Sequence, residues 1–382
     1  MPQGNVRRKR ILFLTDIPYW EHSVGSHSRI ATLIAALADD HDVAVLNLHE
    51  DAPRAGEAIA MAVGAATVFT VPDLGEDDIA ETEKAECRWP WFPVDGRWLA
   101  ATAIHCNDWQ PDIVVVEYIR LAYLLAAVPA GVLTMLDSHD VMSQRMALFA
   151  TYGRTPSITI SARNEAEILR RFDIVIAISR FDIHYMRDHL KISRLLYVPH
   201  VITPVAQRVT GSADGQSLIF VAGNSEANRT GIRYFLKEIW PPLSRTYSLK
   251  VCGSICDDVL VSSTRGVEPL GHVPDLAAEY AKADMAINPV FMGGGLKIKT
   301  LEAMNAGLPC VTTAEGARGL TDAVPHALHV AEDKIGYIDA LMMLAADADR
   351  RLTMGDAAKA YVQQHFSPEA GFADIRMFLD HI

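Results

Sequence analysis

The alternation of short apolar segments with amphipathic segments is the feature that most constrains the fold of this chain. The apolar segments contain few polar residues, which is typical of parallel strands covered by helices on both faces. In the first half they read RILFLT, DVAVLNL, ATVFTV, DIVVVE, GVLTMLD, DIVIAIS and RLLYVP. Because strand, helix and strand repeat in this order, the first half predicts a doubly wound α/β domain.

A second series of the same kind follows a polar, glycine-containing segment at residues 206–216. Its strand-like segments read SLIFVAG, SLKVCG, GVEPLG, DMAINP and PCVTT. A chain of 382 residues is also long for a single core. We therefore predict two Rossmann-like α/β domains that face a cleft, over residues 1–205 and 206–365, and a C-terminal helix over residues 366–382 that packs back on the first domain. Ligands of such domains bind at the carboxyl ends of the strands.

Composition excludes several classes of partner and location. The net charge of −12 disfavours nucleic acid. The basic run RRKR at residues 7–10 is better interpreted as the solvated flank of a strand than as a membrane contact. The longest uncharged stretch, residues 121–136, is shorter than the roughly 18 residues of a membrane span and contains Pro-Ala-Gly. With only five cysteines, a cytoplasmic protein is expected, and contact with the inner face of the plasma membrane stays open.

Three consecutive glycines indicate an anion-binding loop. Gly293, Gly294 and Gly295 follow the strand DMAINP and precede a helical segment. Without Cβ atoms, their backbone and that of Leu296 can direct N–H groups at an oxyanion, and the helix N-terminus adds positive potential. Two lysines, Lys297 and Lys299, add full charges. The pattern predicts a diphosphate or triphosphate site, and the alternative is a flexible loop with two solvated lysines.

One acid lies among the apolar residues of the helix that follows. Glu302 is three residues after Lys299, so the two side chains share a face of the helix. A carboxylate in an apolar setting needs a partner. Either the two hydroxyls of a nucleotide ribose or the Lys299 ammonium would serve, and the spacing does not separate them.

The segment GGGLKIKTLEAMNAGLPCVTT resembles the donor-nucleotide motif of family 4 (group 1) retaining glycosyltransferases, which have the GT-B fold. The resemblance implies that Glu302 binds the ribose hydroxyls. The segment GVEPLGHVPDLAAEYAKADMAINPV is similar to the base-binding segment of the family, which implies a base site around His272 and Val273. The resemblance covers most of the second half of the chain.

The chain departs from the family pattern at two points. The family has two glutamates eight positions apart, and Gly294 stands where the first would contact the donor sugar. Amides of the glycine loop are the expected substitute. The family also carries an arginine and a lysine in the loop that here begins at Gly223. Arg229 is the only cation in that segment, and the two lysines of the glycine loop are expected to compensate.

The first domain resembles the family more loosely. Gly25 stands in a loop where two glycines near the donor phosphate are common. In the segment MLDSHDVMSQR, His139 resembles the active-site histidine beside the donor sugar. The alternative is an ordinary strand-end histidine that bonds to Asp137 or Asp140. Three further residues are weaker candidates for acceptor or donor-sugar contacts, and the first of them could instead reach solvent: Glu117, Asp140 and Arg145.

The resemblance implies an enzyme that moves a sugar from a UDP- or GDP-linked donor to the hydroxyl of a glycan, lipid-linked or small-molecule acceptor. Retention of configuration and independence of metals and cofactors are implied as well. The expected catalytic residues are His139, Lys297 and Lys299. Alternatives are a catalytically inactive GT-B protein that binds a nucleotide or a partner, and a sugar-nucleotide epimerase of the same fold. The sugar, the base, the acceptor and the oligomeric state stay open.

Overall fold

The structure, a computed structural model, describes residues 8–21, 25–73, 89–205 and 214–382. Contacts divide the chain into two units. The first unit comprises Met1–Ala147, Thr155–Val198 and Ala373–Ile382, and the second comprises Leu148–Arg154 and Pro199–Phe372. Most of the predicted linker, residues 206–213, lies outside the described residues.

The first unit is built on a seven-stranded sheet in which every pairing is parallel. The strand order is β3-β2-β1-β4-β5-β6-β7. The strands are β1 (Arg10–Thr15), β2 (Asp42–Asn47), β3 (Thr67–Thr70), β4 (Ile113–Glu117), β5 (Leu133–Asp137), β6 (Ile174–Ala177) and β7 (Leu195–Tyr197).

Helices connect these strands and bury apolar side chains against the sheet. The described helices of this part are α1 (Gly25–Ala38), α2 (Gly56–Val63), α3 (Gly96–Trp109), α4 (Met142–Thr151), α5 (Ala162–Leu169) and α6 (Arg180–Asp188). A 3₁₀ segment, Ile119–Ala127, follows β4. The uncharged stretch at residues 121–136 is thus a 3₁₀ helix, a turn and a buried strand. None of the helices in the described residues is long and apolar enough to cross a membrane.

The second unit repeats the design with a six-stranded parallel sheet in the order β10-β9-β8-β11-β12-β13. Its strands are β8 (Ser217–Val221), β9 (Ser248–Cys252), β10 (Val267–Gly271), β11 (Met285–Asn288), β12 (Cys310–Thr312) and β13 (His329–Val330). The edge strand β13 has two residues and was not predicted.

The helices that follow β8 run on into one another: α7 (Glu226–Tyr234), a π-helical turn (Phe235–Ile239) and α8 (Trp240–Leu243). The remaining helices are α9 (Val259–Ser263), α10 (Leu276–Ala281), α11 (Ile298–Asn305), α12 (Lys334–Ala346), α13 (Ala348–Phe366), α14 (Pro368–Gly371) and α15 (Ala373–Asp380). The last of these belongs to the first unit.

Both sheets reverse their strand order at an equivalent place. The reversal lies between β1 and β4 in the first unit and between β8 and β11 in the second. In open α/β sheets, ligands bind outside the carboxyl ends of the strands at such a reversal. The prediction of two parallel-sheet α/β domains is confirmed, and each unit has one place where a ligand site is expected.

Candidate functional site

The glycine loop of the second unit lies between β11 and α11. Gly293 has a φ of +146° and Gly295 a φ of +57°, conformations that L-residues with a side chain rarely adopt. The helix begins at Ile298, directly after Lys297. Strand, glycines and helix therefore follow one another as predicted, and the glycines are required because two of them have positive φ.

The backbone amides of this loop are available to an anion. Among the described residues, the N–H groups of Gly293, Gly294, Gly295 and Leu296 donate hydrogen bonds to no other residue. The first N–H groups of an α-helix have no partner within the helix, so the start of α11 adds further donors. Successive free amides at a helix N-terminus form an anion-binding concavity.

Lys297 points into this loop. Its Nζ donates to the carbonyl oxygens of Gly294 at 2.6 Å and Gly295 at 3.3 Å, and it pairs with Glu315 Oε1 at 2.8 Å. Both side chains of that pair are 8% exposed. A lysine ammonium has three donors, and these three contacts occupy them. Lys297 therefore shapes the loop from inside, whereas the sequence predicted a lysine that faces a phosphate.

Glu315 is a residue that the sequence analysis did not single out. Its second oxygen pairs with Arg318 at 2.7 Å, so one buried carboxylate joins two cations. No local pattern marks this role, because Glu315 lies 18 positions from Lys297 and comes next to it only through the fold.

Lys299 is in the first turn of α11, and its positive charge is less stabilised than that of Lys297. Its Nζ donates to Asn228 Oδ1 and lies 5.5 Å from the centre of the Phe220 ring. Burial, followed by repulsion from Lys297, lowers the pKa of Lys299 to about 7. An anion bound nearby would favour the charged form.

Glu302 lies one turn further along α11, beside a cavity. Burial raises the pKa of Glu302 to about 7, and the charge of Lys299 and the neighbouring Tyr280 hydroxyl oppose this rise. Among the described residues no ion pair joins Glu302 to Lys299, so the salt-bridge alternative is not what the structure shows. A cavity of about 220 Å³ is lined by Glu302, Tyr280, Leu276 and Asn305 among others.

The other predicted donor residues lie in loops at strand ends of this unit. Gly223 follows β8, and its carbonyl oxygen accepts from Asn228 Nδ2 at 2.8 Å. Arg229 pairs with Glu226 at 2.8 Å and donates to the Asn224 carbonyl at 2.9 Å, so its charge is already compensated. His272 is exposed and Val273 half-buried, directly after β10.

In the first unit, His139 lies at the carboxyl end of the sheet beyond β5. Its Nε2 is 2.7 Å from Glu117 Oε2 at the end of β4 and 3.8 Å from Asp137 Oδ2. The Tyr118 ring stacks on the imidazole at 4.0 Å with an interplanar angle of 5°. Both rings belong to residues with positive φ, +71° for Tyr118 and +56° for His139. Such strain at non-glycine residues is typical of functional sites.

Glu117 is fully buried, so it does not reach solvent. Burial, followed by the charge of Asp137, raises its pKa to about 7. Its Oε1 has no hydrogen-bond partner. Glu117 therefore holds His139, and the prediction of a sugar contact for Glu117 is not supported by its position.

Asp137 is neutralised by a residue that the sequence analysis did not single out. Arg29 of α1 donates to its two carboxylate oxygens at 2.7 and 2.8 Å, and both side chains are almost fully buried. A buried charge needs a partner of this kind. The available signal was an arginine among the apolar residues of α1, which predicts a buried acid without identifying it.

The three remaining predicted residues of this unit are accessible. Asp140 and Arg145 form an ion pair at 3.1 Å, with side chains 17% and 28% exposed. Gly25 is the first residue of α1, and residues 22–24 of its loop lie outside the described part of the chain.

Comparison with known proteins agrees with the two-domain fold. A family model described as glycosyl transferase 4-like domain matches residues 24–200, and one described as glycosyl transferases group 1 matches residues 215–347. No match was found among curated proteins.

Solved structures of glycosyltransferases share the fold over nearly the whole chain. Sucrose-phosphate synthase from Thermosynechococcus elongatus has a TM-score of 0.72 at 16% identity, covering 98% of this chain and 99% of that one. HepE from Anabaena in complex with UDP and glucose has 0.71 at 14%, covering 98% and 100%. A mutant of S. aureus TarM in complex with Fondaparinux, α-GlcNAc-glycerol and UDP has 0.73 at 10%, covering 98% and 100%.

Two parallel-sheet α/β units, each with candidate site residues at the carboxyl ends of its strands, define a protein of the GT-B fold. The chain belongs to the group 1 glycosyltransferases, with a 4-like domain in its first half and a group 1 domain in its second.

Proposed function

We propose that this protein transfers a sugar from a nucleotide-diphosphate sugar to an acceptor hydroxyl. The observation that carries the proposal is the row of amides from Gly293 to Leu296, which bond to no other described residue and precede a helix that bears Lys299 and Glu302. Negative charge grows on the diphosphate as the anomeric C–O bond breaks. Oriented donors at that position stabilise the transition state, which is usually the largest catalytic contribution of such a site.

In this proposal each part of the second unit binds one part of the donor. The glycine amides and Lys299 bind the diphosphate, Glu302 accepts hydrogen bonds from the ribose hydroxyls, and the backbone around His272 and Val273 meets the base. Lys297 supports the loop from within. UDP is the nucleotide to test first, because HepE and TarM have been solved with UDP.

Metal independence is part of the proposal and rests on charge. Glu117, Asp137 and His139 are the group of described residues with ligand atoms within 4.8 Å of one another. Arg29 already occupies both oxygens of Asp137. A divalent cation would have to share these oxygens with a buried guanidinium that repels it, so we assign the leaving-group charge to amides and Lys299 instead.

His139 is the residue that we assign to the transferred sugar. Its ring is held between the Glu117 carboxylate and the Tyr118 ring. Fixed orientation of this kind lowers the entropic cost of a productive contact. Retention of configuration is part of the proposal on the basis of the family resemblance, and the sugar-bearing ligands of HepE and TarM support a glycan acceptor.

The test is a panel of UDP- and GDP-linked sugars with the full chain. We expect one of the two nucleotides to bind. Its sugar donor should be hydrolysed slowly without an acceptor and consumed faster with one. Both reactions should persist in the presence of EDTA, which removes divalent metals. Proton NMR of the product then gives the anomeric configuration. Binding without any turnover would favour the inactive GT-B alternative, and absence of nucleotide binding would refute the donor site.

A further inference from the structure

A second cavity lies within the first unit, at the place where the order of its strands reverses. Asp16 directly follows β1, and Arg120 follows β4 by three residues; both line the cavity. Its volume is about 810 Å³. This lies within the range of about 300–1,000 Å³ that is usual for small-molecule sites. The size and position are those of a ligand site, and the residues that line it show which chemistry it fits.

Aromatic side chains form much of its lining. Trp91, Phe92 and Trp98 border the cavity together with Tyr123. Trp91 is fixed in place, because Trp89 packs edge-on against it at 4.7 Å and the Arg171 guanidinium lies 5.0 Å from its ring centre. An aromatic face carries partial negative charge and attracts the C–H groups on the apolar face of a sugar ring. A fixed ring makes that contact at little entropic cost.

The polar lining consists of two ion pairs of opposite charges. Asp16 accepts from Arg120 at 2.5 and 3.1 Å, and Asp95 from Arg97 at 2.8 Å. Two acids and two arginines give no net charge. Carboxylates accept and guanidinium groups donate hydrogen bonds, so the pairs can serve hydroxyl groups, which do both. An anionic ligand would require excess positive charge, and a lipid chain would remove water from the two ion pairs without offering them a hydrogen bond.

We propose that this cavity is the acceptor subsite and that the acceptor is a neutral oligosaccharide. A sugar ring stacks on Trp91 or Trp98, and hydroxyl groups bond to the Asp16–Arg120 pair. This inference rests on the proposed glycosyl transfer, and it adds the chemical class of the acceptor.

The experiment measures sugar binding without donor, by ligand-observed NMR on the full chain. The probes are neutral trisaccharides of glucose, galactose, mannose and N-acetylglucosamine, with trigalacturonate as the anionic comparison and hexaethylene glycol monododecyl ether, a detergent without a sugar, as the apolar one. We expect at least one neutral trisaccharide to bind, and to bind more tightly than trigalacturonate. Removal of a stacking ring should weaken binding, so Trp98→Ala should raise the Kd by about tenfold, equal to 1.4 kcal/mol.

Trp109 provides a matched control on the same helix. It is the last residue of α3, whereas Trp98 is in its first turn, and it lies beside Arg10 at the start of β1. Trp109→Ala should leave the Kd of the trisaccharide unchanged. Trp98→Phe keeps an aromatic face and should retain most of the affinity, which separates stacking from folding if Trp98→Ala is unstable. Trp91→Ala should repeat the loss.

Three results would overturn the proposal: no neutral trisaccharide binds, trigalacturonate or the detergent binds more tightly, or Trp109→Ala and Trp98→Ala weaken binding equally. UDP binding and donor hydrolysis are measured on the same samples. If they persist while sugar binding is absent, only the acceptor subsite is wrong. If nucleotide binding fails while the neutral sugar binds at Trp98, the proposed transferase function fails and the cavity remains a carbohydrate site.

Discussion

At the residue scale, the two lysines of the glycine loop have different environments and should have different roles. Lys297 is buried with Glu315 and two carbonyl oxygens. Lys297→Met leaves these acceptors unsatisfied, so we expect the free energy of unfolding to fall by about 2 kcal/mol. Urea denaturation followed by tryptophan fluorescence measures this loss.

Lys299 provides the contrast. Its pKa is lowered by burial, so its charge lowers stability at neutral pH, and Lys299→Met should not destabilise the fold. We expect instead that the Kd for UDP rises by about tenfold, equal to 1.4 kcal/mol, as measured by calorimetry. If Lys297→Met weakens UDP binding at unchanged stability, Lys297 faces the phosphate after all.

Glu302 and Lys299 together predict an affinity optimum near neutral pH. The pKa of Glu302 is raised to about 7, so below pH 7 its carboxylate is protonated and accepts ribose hydrogen bonds poorly. The pKa of Lys299 is lowered to about 7, so above pH 7 its positive charge is lost. UDP-glucose is the suitable ligand, because its diphosphate is a diester and does not titrate in this range.

We expect the affinity for UDP-glucose to be highest near pH 7 and to fall on both sides. Glu302→Gln should remove the acidic limb and Lys299→Met the basic limb. Glu238, an exposed partner of Lys334 in the same unit, supplies the control variant Glu238→Gln. A profile of wild type that is flat from pH 5 to 9 would contradict both assignments.

We expect Glu117 to hold His139 in position at a cost to the stability of the folded state. Its folded pKa of about 7 lies above that of an unfolded glutamate, so the folded state binds more protons, and stability is lost as pH rises between the two values. Glu117→Gln keeps a hydrogen bond to His139 without this penalty. We expect the urea midpoint of Glu117→Gln to exceed that of wild type at pH 8 by more than at pH 5, while kcat falls. An equal difference at both pH values would show that Glu117 titrates normally.

These residues also mark the limit of prediction from sequence. Lys299, Glu302 and His139 could be proposed from the sequence because each follows a strand or lies on a helix with a recognisable spacing. Glu315, Arg29 and the bond between Glu117 and His139 could not be found in this way. Their roles depend on contacts between distant parts of the chain, and burial then sets their charge.

At the element scale, the glycine loop adopts a backbone conformation that residues with a Cβ atom reach only at a cost in free energy. Gly295 and Gly64 have almost the same φ, +57° and +61°. Both are conformations that residues with a Cβ rarely adopt, so alanine at either should cost about 1–3 kcal/mol of stability. Only Gly295→Ala should also raise the Kd for UDP, because only that loop presents amides to the ligand. Gly64 has no atom within 4 Å of an added Cβ, so Gly64→Ala isolates the backbone cost. Equal UDP affinity in both variants would rule out the amide cradle.

The elements themselves were more predictable than the site. Strands that are buried on both faces show as apolar runs, and the helices between them show a 3.6-residue period. The edge strand β13 was missed because two residues give no pattern. The segment at residues 119–127 is apolar except for Arg120, so periodicity could not reveal that it is a 3₁₀ helix.

At the scale of the whole molecule, the chain returns to its first unit at the end. After the second unit, α15 belongs with the first unit and packs against β7. Arg376 pairs with Asp40 at 3.4 Å, and Lys9 donates to the carbonyl oxygen of Ile382 at 2.5 Å. The stability of the first unit should therefore depend on its C-terminal residues, which are distant in sequence from its strands.

A substitution at Leu379 tests this dependence. It is 1% exposed, so Leu379→Ala should cost about 2–5 kcal/mol by removing buried methyl groups. Met377 on the same helix is 60% exposed, and Met377→Ala should change stability by less than about 0.5 kcal/mol. Hydrogen exchange read by mass spectrometry should show faster exchange in β7 for Leu379→Ala and unchanged exchange in β11. Because the residues assigned to UDP under the proposed function, Lys299, Glu302 and the glycine amides, lie in the second unit, UDP affinity should also persist. Faster exchange in β11 to the same extent as in β7 would show that the two units unfold together, and the C-terminal helix would then support the whole chain.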